Sequence, residues 1–289
     1  MTNLMAGKLV LITGATSGIG AATATGLARM GATLALGVRD LKKGDAIRQE
    51  IARDTGNPPL DMPALDLASF RSIRKFADAF KARHARLDVL VNNAGIFNRD
   101  RHVTEDGLEA VFQVNYVGPF LLTMLLLDPL KAGAPSRIVN VSSEAHRGAS
   151  IDFEDLQGER GYRGWHAYGQ SKLAQILFTR EFARRLLGTG VTVNVLHPGV
   201  IRTNLGKGEF PGAFDVVRIF FKGPARGART SLYVATAPAL DGVTGEYFKN
   251  SREAVPSAAA QDDAAARRLW DTSLELAGLT ATSSGATTR

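Results

Sequence analysis

The sequence KLVLITGATSGIG, residues 8–20, decides the fold class. Its first half, Lys8–Thr13, is a largely apolar run of strand length, typical of a strand buried on both faces of a parallel sheet. Its second half has the spacing Gly14-x3-Gly18-x-Gly20, directly before an alanine-rich segment of helical period. Such glycines let the backbone turn sharply and let a pyrophosphate approach the N–H groups and positive dipole end of the next helix. The stretch therefore predicts a strand, a dinucleotide-binding turn and a helix.

Strand-length apolar runs and segments of helical period alternate along the chain. Further strands are predicted at Thr33–Val38, Pro63–Asp66, Leu87–Asn92, Arg137–Ser142, Val191–Leu196 and Gly245–Phe248. Helices are predicted at Gly18–Met30, Leu41–Arg53, Ser69–Arg83, Gly107–Leu130 and Ala167–Leu187. This order predicts an α/β fold: a Rossmann-type, doubly wound three-layer sandwich with a mainly parallel seven-stranded sheet.

No linker divides the chain, so residues 1–279 are predicted to form a single dinucleotide-binding domain. A segment rich in glycine and phenylalanine, at about residues 199–223, interrupts the α/β pattern after a strand and is expected to be a substrate lid. Residues 280–289 consist almost entirely of Thr, Ser, Ala and Gly, which predicts a disordered tail.

The composition excludes several classes of protein. With 45% hydrophobic and 22% charged residues among 289, the chain resembles a soluble globular protein. Its net charge of +7 is scattered rather than clustered, so no nucleic-acid partner is expected. The chain has no cysteine and its histidines form no i, i+4 pair, so neither a disulfide nor a metal site is expected.

The sequence predicts neither a membrane span nor a signal peptide. The most apolar region, Val114–Leu127, is interrupted by a glycine–proline pair and is too short to cross ~30 Å of hydrocarbon. Met1–Val10 lacks a charged region followed by a long apolar core. A cytoplasmic location is therefore expected.

The end of the second strand, Val38-Arg39-Asp40, bears on the choice between NAD and NADP. An acidic side chain at the strand tip would bind the ribose of NAD, whereas an arginine just beyond it would pair with the 2′-phosphate of NADP. Because the tip is Val38 and Arg39 follows, NADP(H) is favoured over NAD(H), with Ser17 as an additional hydroxyl donor. Asp40 leaves the alternative open, since it could approach the ribose instead.

The segment Tyr168-x3-Lys172 is a candidate proton-transfer site, because residues four apart share a helix face. An ammonium ~4 Å away would lower the tyrosine pKa from about 10 by roughly 2–3 units, making Tyr168 an acid or base near neutral pH. Ser142-Ser143 ends the preceding strand, where a hydroxyl can stabilise a developing alkoxide. For one of the two serines, a role as cap of the next turn stays open.

Two further polar features accompany these motifs. Asn92-Asn93-Ala94-Gly95 ends a predicted strand where small and amide residues can line an adenine pocket. Asn115 is a polar residue in an apolar helical stretch. A buried amide needs partners, so Asn115 either bonds the local backbone or belongs to a proton relay through water.

Together these motifs resemble the short-chain dehydrogenase/reductase family, in that family's order over about residues 8–205. The matching positions are Thr13-Gly14-x3-Gly18-x-Gly20, Asp66, Asn92-Asn93-Ala94-Gly95, Asn115, Ser143, Tyr168-x3-Lys172 and His197-Pro198-Gly199. The resemblance implies an NAD(P)-dependent oxidoreductase that interconverts a carbonyl and its alcohol by hydride transfer. It makes Tyr168 the general acid/base, with Lys172 lowering its pKa and holding the nicotinamide ribose. Ser143 orients the carbonyl, and Asn115 supports a water relay through its backbone.

The resemblance also implies the cofactor contacts. Asp66 and Asn93 belong to the adenine end, and Pro198-Gly199 and Thr203 to the nicotinamide side. The whole implied cofactor-binding set is Gly14, Ser17, Gly18, Ile19, Gly20, Arg39, Asp66, Leu67, Asn93, Ala94, Gly95, Tyr168, Lys172, Pro198, Gly199 and Thr203.

Within the family, retinol-dehydrogenase-type enzymes are the most similar subgroup, and most of them prefer NADP. The stretches that look like theirs are Glu144-Ala145-His146, Asp152–Gly158, Lys172–Leu187 and Arg267–Leu279. Many of those enzymes carry a membrane-anchoring N-terminal segment, whereas this chain begins almost at its first strand. The difference disfavours retinol itself as the physiological substrate.

Two functions remain as alternatives. The first is an NADP-dependent oxidoreductase acting on a small-molecule aldehyde or ketone, of lipophilic character because the predicted lid is rich in phenylalanine. The second is a cofactor-binding sensor or scaffold without turnover, which the intact Ser143, Tyr168 and Lys172 disfavour. The helices at Gly107–Leu130 and Ala167–Leu187 could also pair two subunits into a homodimer.

Overall fold

The computed structural model describes residues 3–199 and 223–279. Most of the predicted lid, residues 200–222, and the predicted disordered tail, residues 280–289, lie outside the described residues.

Within residues 3–199 and 223–279, seven strands form a single sheet, as the sequence predicts. They are β1 (Leu9–Thr13), β2 (Thr33–Gly37), β3 (Val89–Asn92), β4 (Ser136–Val141), β5 (Val191–His197), β6 (Tyr247–Lys249) and β7 (Arg252–Glu253). Their order in the sheet is β2-β1-β3-β4-β5-β6-β7, and all neighbours are parallel except β6 and β7. The order reverses direction at β1 and β3, which places a crevice at the carboxyl ends of these strands.

The strand predicted at Pro63–Asp66 is wrong. This segment follows the edge of the sheet beside β2, but only an isolated bridge between Ala35 and Leu60 and a bond from the Leu65 N–H to the Val38 carbonyl join it there. Proline has no N–H to donate to a ladder, and three prolines between residues 58 and 63 prevent regular pairing. The seventh strand is instead β7, which pairs antiparallel with β6.

Helices cover both faces of the sheet, which gives the predicted three layers. They are α1 (Gly18–Arg29), α2 (Leu41–Thr55), α3 (Phe70–Arg83), α4 (Ala110–Phe112), α5 (Gly118–Leu125), α6 (Leu127–Ala132), α7 (Gly164–Arg185), α8 (Pro224–Thr236) and α9 (Asp263–Leu276). Apolar residues of α1, α2 and α8 form the core on one face, and those of α3, α5, α7 and α9 form the core on the other.

The single helix predicted at Gly107–Leu130 is divided into several pieces. The Glu109 carboxylate caps α4 by accepting the N–H groups of Val111 and Phe112 at 2.8 and 2.7 Å. A π-helical turn, Gln113–Val117, then joins α4 to α5. The irregular turn lies where the chain passes behind the crevice, and it carries Asn115.

Candidate active site

A cleft of about 580 Å³ opens at the carboxyl ends of β1, β3 and β4. It brings together the glycine turn and the Tyr168–Lys172 pair, which are far apart in sequence. The predicted site residues that line it are Gly14, Ser17, Gly18, Ile19, Gly20, Arg39, Asp66, Leu67, Asn93, Ala94, Gly95, Tyr168, Lys172 and Pro198.

None of the remaining predicted residues that the structure describes is among those that line the cleft. Asn115 is fully buried behind the cleft, and Ser143 begins the short turn after β4. Gly199 follows β5 directly after Pro198, with a left-handed φ of 94°. Thr203 lies outside the described residues.

The glycine turn is held tightly against the loop after β3. A Cβ atom at Gly14 would lie 2.7 Å from Ala94 Cα, and one at Gly20 would lie 2.2 Å from the Gly14 carbonyl oxygen. Thr13 Oγ1 accepts the N–H groups of Asn93 and Ala94 at 3.1 and 3.0 Å, while Asn93 Nδ2 donates to the Thr13 carbonyl at 2.9 Å. The Asn93 amide therefore fastens the turn as well as lining the cleft, and Thr13 is a structural partner of the turn, a role that sequence reasoning missed.

The first turn of α1 fits the pyrophosphate of a dinucleotide. Its N-cap residue, Ser17, is extended and makes no side-chain capping bond, and no acidic residue lies in the first turn. The N–H groups of a helix N-terminus and its positive dipole end bind anions. Because the glycine turn and the first turn of α1 line the cleft, a phosphate can lie directly against their backbone N–H groups.

The end of the cleft beside β2 is basic. Arg39, Asp40 and Lys43 line it together. Asp40 is engaged locally: its carboxylate accepts the Lys43 N–H at 3.2 Å, and its other oxygen lies 3.4 Å from Lys43 Nζ. Asp40 thus serves as the N-cap of α2. This local bonding favours Arg39, rather than Asp40, as the residue that faces the ribose of the cofactor.

Tyr168 lies on the first half of α7, at the floor of the cleft. Burial raises its pKa to about 12, although a hydrogen bond with the Ser143 side chain opposes that rise. Lys172 Nζ lies 5.7 Å from the centre of the Tyr168 ring. The expectation of a lowered tyrosine pKa is therefore wrong for the chain's own groups, because the cost of burying a phenolate exceeds the opposing effect of the Ser143 hydrogen bond.

Lys172 is buried among neutral acceptors. Its Nζ donates to the Val141 carbonyl at 3.0 Å and to Gln175 Oε1 at 3.4 Å. Burial lowers its pKa to about 7, because no carboxylate in the described residues compensates the buried charge. The ammonium is consequently near its titration midpoint at neutral pH.

The structure separates the roles of the two adjacent serines. Ser142 Oγ donates to the Lys172 carbonyl at 2.7 Å, so Ser142 holds β4 to α7. Ser143 accepts the Ala145 N–H at 3.2 Å and is hydrogen-bonded to Tyr168. Ser143 therefore both caps its turn and lies at the Tyr168 phenol.

Two buried histidines fix the turn that carries Ser143. Nδ1 of His146 lies 2.6 Å from the Ser143 carbonyl, and its Nε2 accepts the Ser257 N–H at 3.2 Å, which assigns a neutral ring protonated at Nδ1. His197 Nδ1 accepts the Glu144 N–H at 3.3 Å, and burial lowers the pKa of His197 to about 4. Both rings act as neutral supports.

Asn115 is bonded on every side. Its Oδ1 accepts the Ile96 N–H at 2.7 Å, and its Nδ2 donates to the Ile96 carbonyl and to Ser171 Oγ, each at 3.0 Å. Its backbone carbonyl, which the predicted water relay would use, accepts Gln175 Nε2 at 2.7 Å. Gln175 is thus a second residue that sequence reasoning missed.

An aromatic wall stands beside Tyr168. The Phe97 ring lies 4.8 Å from that of Trp165 and 6.0 Å from that of Tyr168, measured between ring centres. Phe97 lines the cleft, whereas Trp165 packs against Phe97 and is 59% exposed. The Tyr168 ring is therefore packed edge-on against two apolar aromatic rings.

The model for short chain dehydrogenases matches residues 8–212, and the chain belongs to that family. Retinol dehydrogenase 14 of Mus musculus is 49% identical over 96% of this chain and 87% of its own length. The chain is thus a retinol-dehydrogenase-like, NAD(P)-dependent oxidoreductase that acts on CH–OH groups, which confirms the predicted family, subgroup and enzyme class.

Two solved structures agree with the fold. An uncharacterized protein from Mycobacterium paratuberculosis is 35% identical, with a TM-score of 0.78 over 94% of both chains. A short chain dehydrogenase from Escherichia coli CFT073, complexed with NADPH, is 26% identical, with a TM-score of 0.69 over 86% of this chain and 99% of that one.

Two other features concern the part of the chain that the structure describes. Residues 3–199 and 223–279 contain no cluster of three or more His, Asp and Glu side chains able to hold a metal ion. Among the same residues, no helix has the length and apolar character that crossing a bilayer requires.

Proposed function

We propose that the protein is an NADP(H)-dependent oxidoreductase that interconverts a lipophilic aldehyde or ketone and its alcohol, with Tyr168 as general acid/base. The observation that carries the proposal is the single cleft in which Tyr168 and Lys172 meet the glycine turn. A cofactor-binding sensor would have no use for a buried phenol, lysine and serine at that place.

The residues present fit a dinucleotide, which supplies or accepts a hydride when bound. The turn at residues 13–20 would hold its pyrophosphate, Arg39 and Lys43 its 2′-phosphate, and Lys172 its nicotinamide ribose. The chain's own residues manage the proton. With a pKa of about 12, Tyr168 is protonated at pH 7 and is a far stronger acid than an alcohol, so it donates its proton to a developing alkoxide.

Ser143 and Lys172 stabilise the charges that this transfer creates. Ser143 donates a hydrogen bond to the carbonyl oxygen as negative charge develops there. The ammonium of Lys172 lies near the tyrosinate left after proton transfer and offsets its charge. In the direction of alcohol oxidation the same groups work in reverse, with the tyrosinate as base.

The test of this function is an NADPH-oxidation screen against aldehydes and ketones of graded size and polarity. We expect turnover that rises from short polar aldehydes to long-chain, aromatic and retinoid aldehydes. Cofactor binding without carbonyl-dependent NADPH consumption across the whole panel would contradict the proposal and favour a sensor.

Arg39→Ala is expected to change the cofactor preference. Removing a charge-assisted bond to the 2′-phosphate costs about 1.5–3 kcal/mol, so the KM for NADPH should rise about tenfold or more while that for NADH changes little. Arg53→Ala, which removes an exposed arginine at the other end of α2, is the matched control. An equal rise in both Michaelis constants would contradict the preference for NADP.

Trp165→Ala is expected to weaken the use of large apolar substrates. Loss of this exposed ring, which packs on Phe97 of the cleft, should lower kcat/KM about tenfold for a long-chain or aromatic aldehyde, because apolar contact worth about 1.4 kcal/mol disappears. A short polar aldehyde should lose less than twofold. Leu187→Ala, an exposed apolar residue just beyond the end of α7, is the control. Equal losses for both substrates would show that the aromatic wall does not contact the substrate.

A further inference from the structure

Gln175 is a buried glutamine, 3% exposed, one helical turn after Lys172 on α7. Its two amide atoms bond in different directions. Nε2 donates to the Asn115 carbonyl at 2.7 Å, and Oε1 accepts from Lys172 Nζ at 3.4 Å. One side chain thus joins the active-site lysine to the backbone of the π-helical turn.

Pro119 deprives the Asn115 carbonyl of its ordinary α-helical donor. In a regular helix the carbonyl of residue 115 would accept the N–H of residue 119, and proline has none. A buried carbonyl without a partner destabilises the folded state, and Gln175 supplies the partner. The bond to the Asn115 carbonyl therefore gives the Nε2 end of the Gln175 side chain a structural role.

On its other side, the same amide fixes the ammonium of Lys172. Lys172 Nζ donates to two acceptors on the side away from the cleft, the Val141 carbonyl and Gln175 Oε1. The ammonium then faces the cleft, where a Cβ atom on Gly95 would lie 3.4 Å from Nζ and the Tyr168 ring centre lies 5.7 Å away. Of the described titratable groups, Tyr168 is the one that faces it.

We propose that Gln175 is a positioning residue of the reaction: its neutral amide ties the Lys172 ammonium to the Asn115 carbonyl and holds it beneath Tyr168 without adding a fixed charge. The proposal rests on the proton-transfer role proposed above for Tyr168 and Lys172. A side-chain amide accepts a hydrogen bond but does not pass on a proton. Gln175 therefore holds Lys172 in place and leaves its charge to be set by burial.

Two substitutions of Gln175 should move the titration of Lys172 in opposite directions. Gln175→Glu keeps the shape of the side chain and puts a carboxylate beside Nζ, which favours the ammonium and raises the Lys172 pKa by about 1–3 units. Gln175→Leu removes the acceptor, which disfavours the ammonium and lowers that pKa below its value of about 7.

The measurement is a pH titration of the Lys172 ¹³Cε resonance in lysine-labelled protein, assigned by its loss in Lys172→Arg. We expect a midpoint near 7 in the original chain, above 8 in Gln175→Glu and below 7 in Gln175→Leu. Midpoints that agree within about 0.3 units would overturn the proposal. If the leucine variant fails to fold, Gln175→Met, which also removes the acceptor but keeps the length of the side chain, takes its place.

The matched control is Gln170→Leu. Gln170 is also 3% exposed on α7 and also uses both amide atoms, but it joins two backbone groups, accepting the Asp152 N–H at 2.9 Å and donating to the Leu156 carbonyl at 3.1 Å. Its loss should lower stability and leave the Lys172 midpoint unchanged. A shift as large as that of Gln175→Leu would mean that general loosening of α7 moves the lysine, which would overturn the specific role of Gln175.

A second readout separates this proposal from the proposed function. With the carbonyl that the screen identifies, the basic limb of kcat/KM for reduction should move in the same direction as the NMR midpoint in each variant. The titration needs neither cofactor nor substrate. If no carbonyl is reduced, the proposed function fails, and the titration still tests the role of Gln175. If turnover occurs but the Lys172 midpoints of the variants coincide, only the positioning role of Gln175 fails.

Discussion

Tyr168→Phe lowers kcat for carbonyl reduction by about 10²–10⁴-fold, the usual contribution of a general acid, and leaves the affinity for NADPH within about twofold. The hydroxyl lies at the floor of the cleft and is hydrogen-bonded to Ser143, so its removal takes away the proton donor and little of the surface that binds a dinucleotide. Phenylalanine fills the same volume, and the packing against Phe97 and Trp165 survives. Steady-state kinetics and NADPH fluorescence titration measure the two quantities.

Tyr116→Phe is the control for this substitution. The Tyr116 hydroxyl is also buried and bonds to Ser273 Oγ at 2.6 Å, but it faces α9 and not the cleft. Its loss should cost about 1 kcal/mol of stability and leave kcat unchanged. Turnover near the original rate in Tyr168→Phe would remove Tyr168 from the mechanism.

Gly20→Ala is expected to abolish dinucleotide binding for a steric reason. The new methyl group would lie 2.2 Å from the Gly14 carbonyl oxygen and 2.5 Å from Asn93 Nδ2, closer than any real contact. The turn must move away from α1, which displaces the backbone N–H groups that would hold the pyrophosphate. We expect affinity for NADPH to fall about 100-fold, which corresponds to about 2.7 kcal/mol. Overpacking of this kind also costs about 1–3 kcal/mol of stability.

Gly148→Ala distinguishes the steric effect from the general effect of replacing a glycine. A Cβ atom at Gly148 meets no heavy atom within 4 Å. Calorimetry should therefore find NADPH affinity unchanged in this variant. If Gly20→Ala binds NADPH as tightly as Gly148→Ala does, the glycine turn does not hold the cofactor.

The sequence predicts those parts of the fold that depend on buried apolar runs. Lys8–Thr13 and Val191–Leu196 coincide with strands because a continuous apolar run has few alternatives to the centre of a parallel sheet. Pro63–Asp66 is apolar as well, yet it forms no strand because its neighbouring prolines cannot donate to a ladder. The two-residue strand Arg252–Glu253 is exposed and carries no apolar signal.

The candidate site also contains residues that the sequence predicts and residues that it does not. Residues that act through short local patterns, such as Tyr168 and Lys172, were predicted and line the cleft. Gln175 was missed because its partner Asn115 comes from another element, although the Pro119 that removes the α-helical donor of the Asn115 carbonyl is visible in the sequence. The pKa of Tyr168 was predicted in the wrong direction because spacing shows a nearby cation but not the depth of burial.

A crystal structure of the protein with NADP⁺ and a bound alcohol or ketone tests the central claim most directly. The account predicts the pyrophosphate on the N–H groups of residues 14–20 and the substrate oxygen about 2.6–3.2 Å from the Tyr168 hydroxyl, within hydrogen-bond reach. A nicotinamide ring bound away from Tyr168, or a substrate oxygen held by other residues with Tyr168 out of reach, would contradict it.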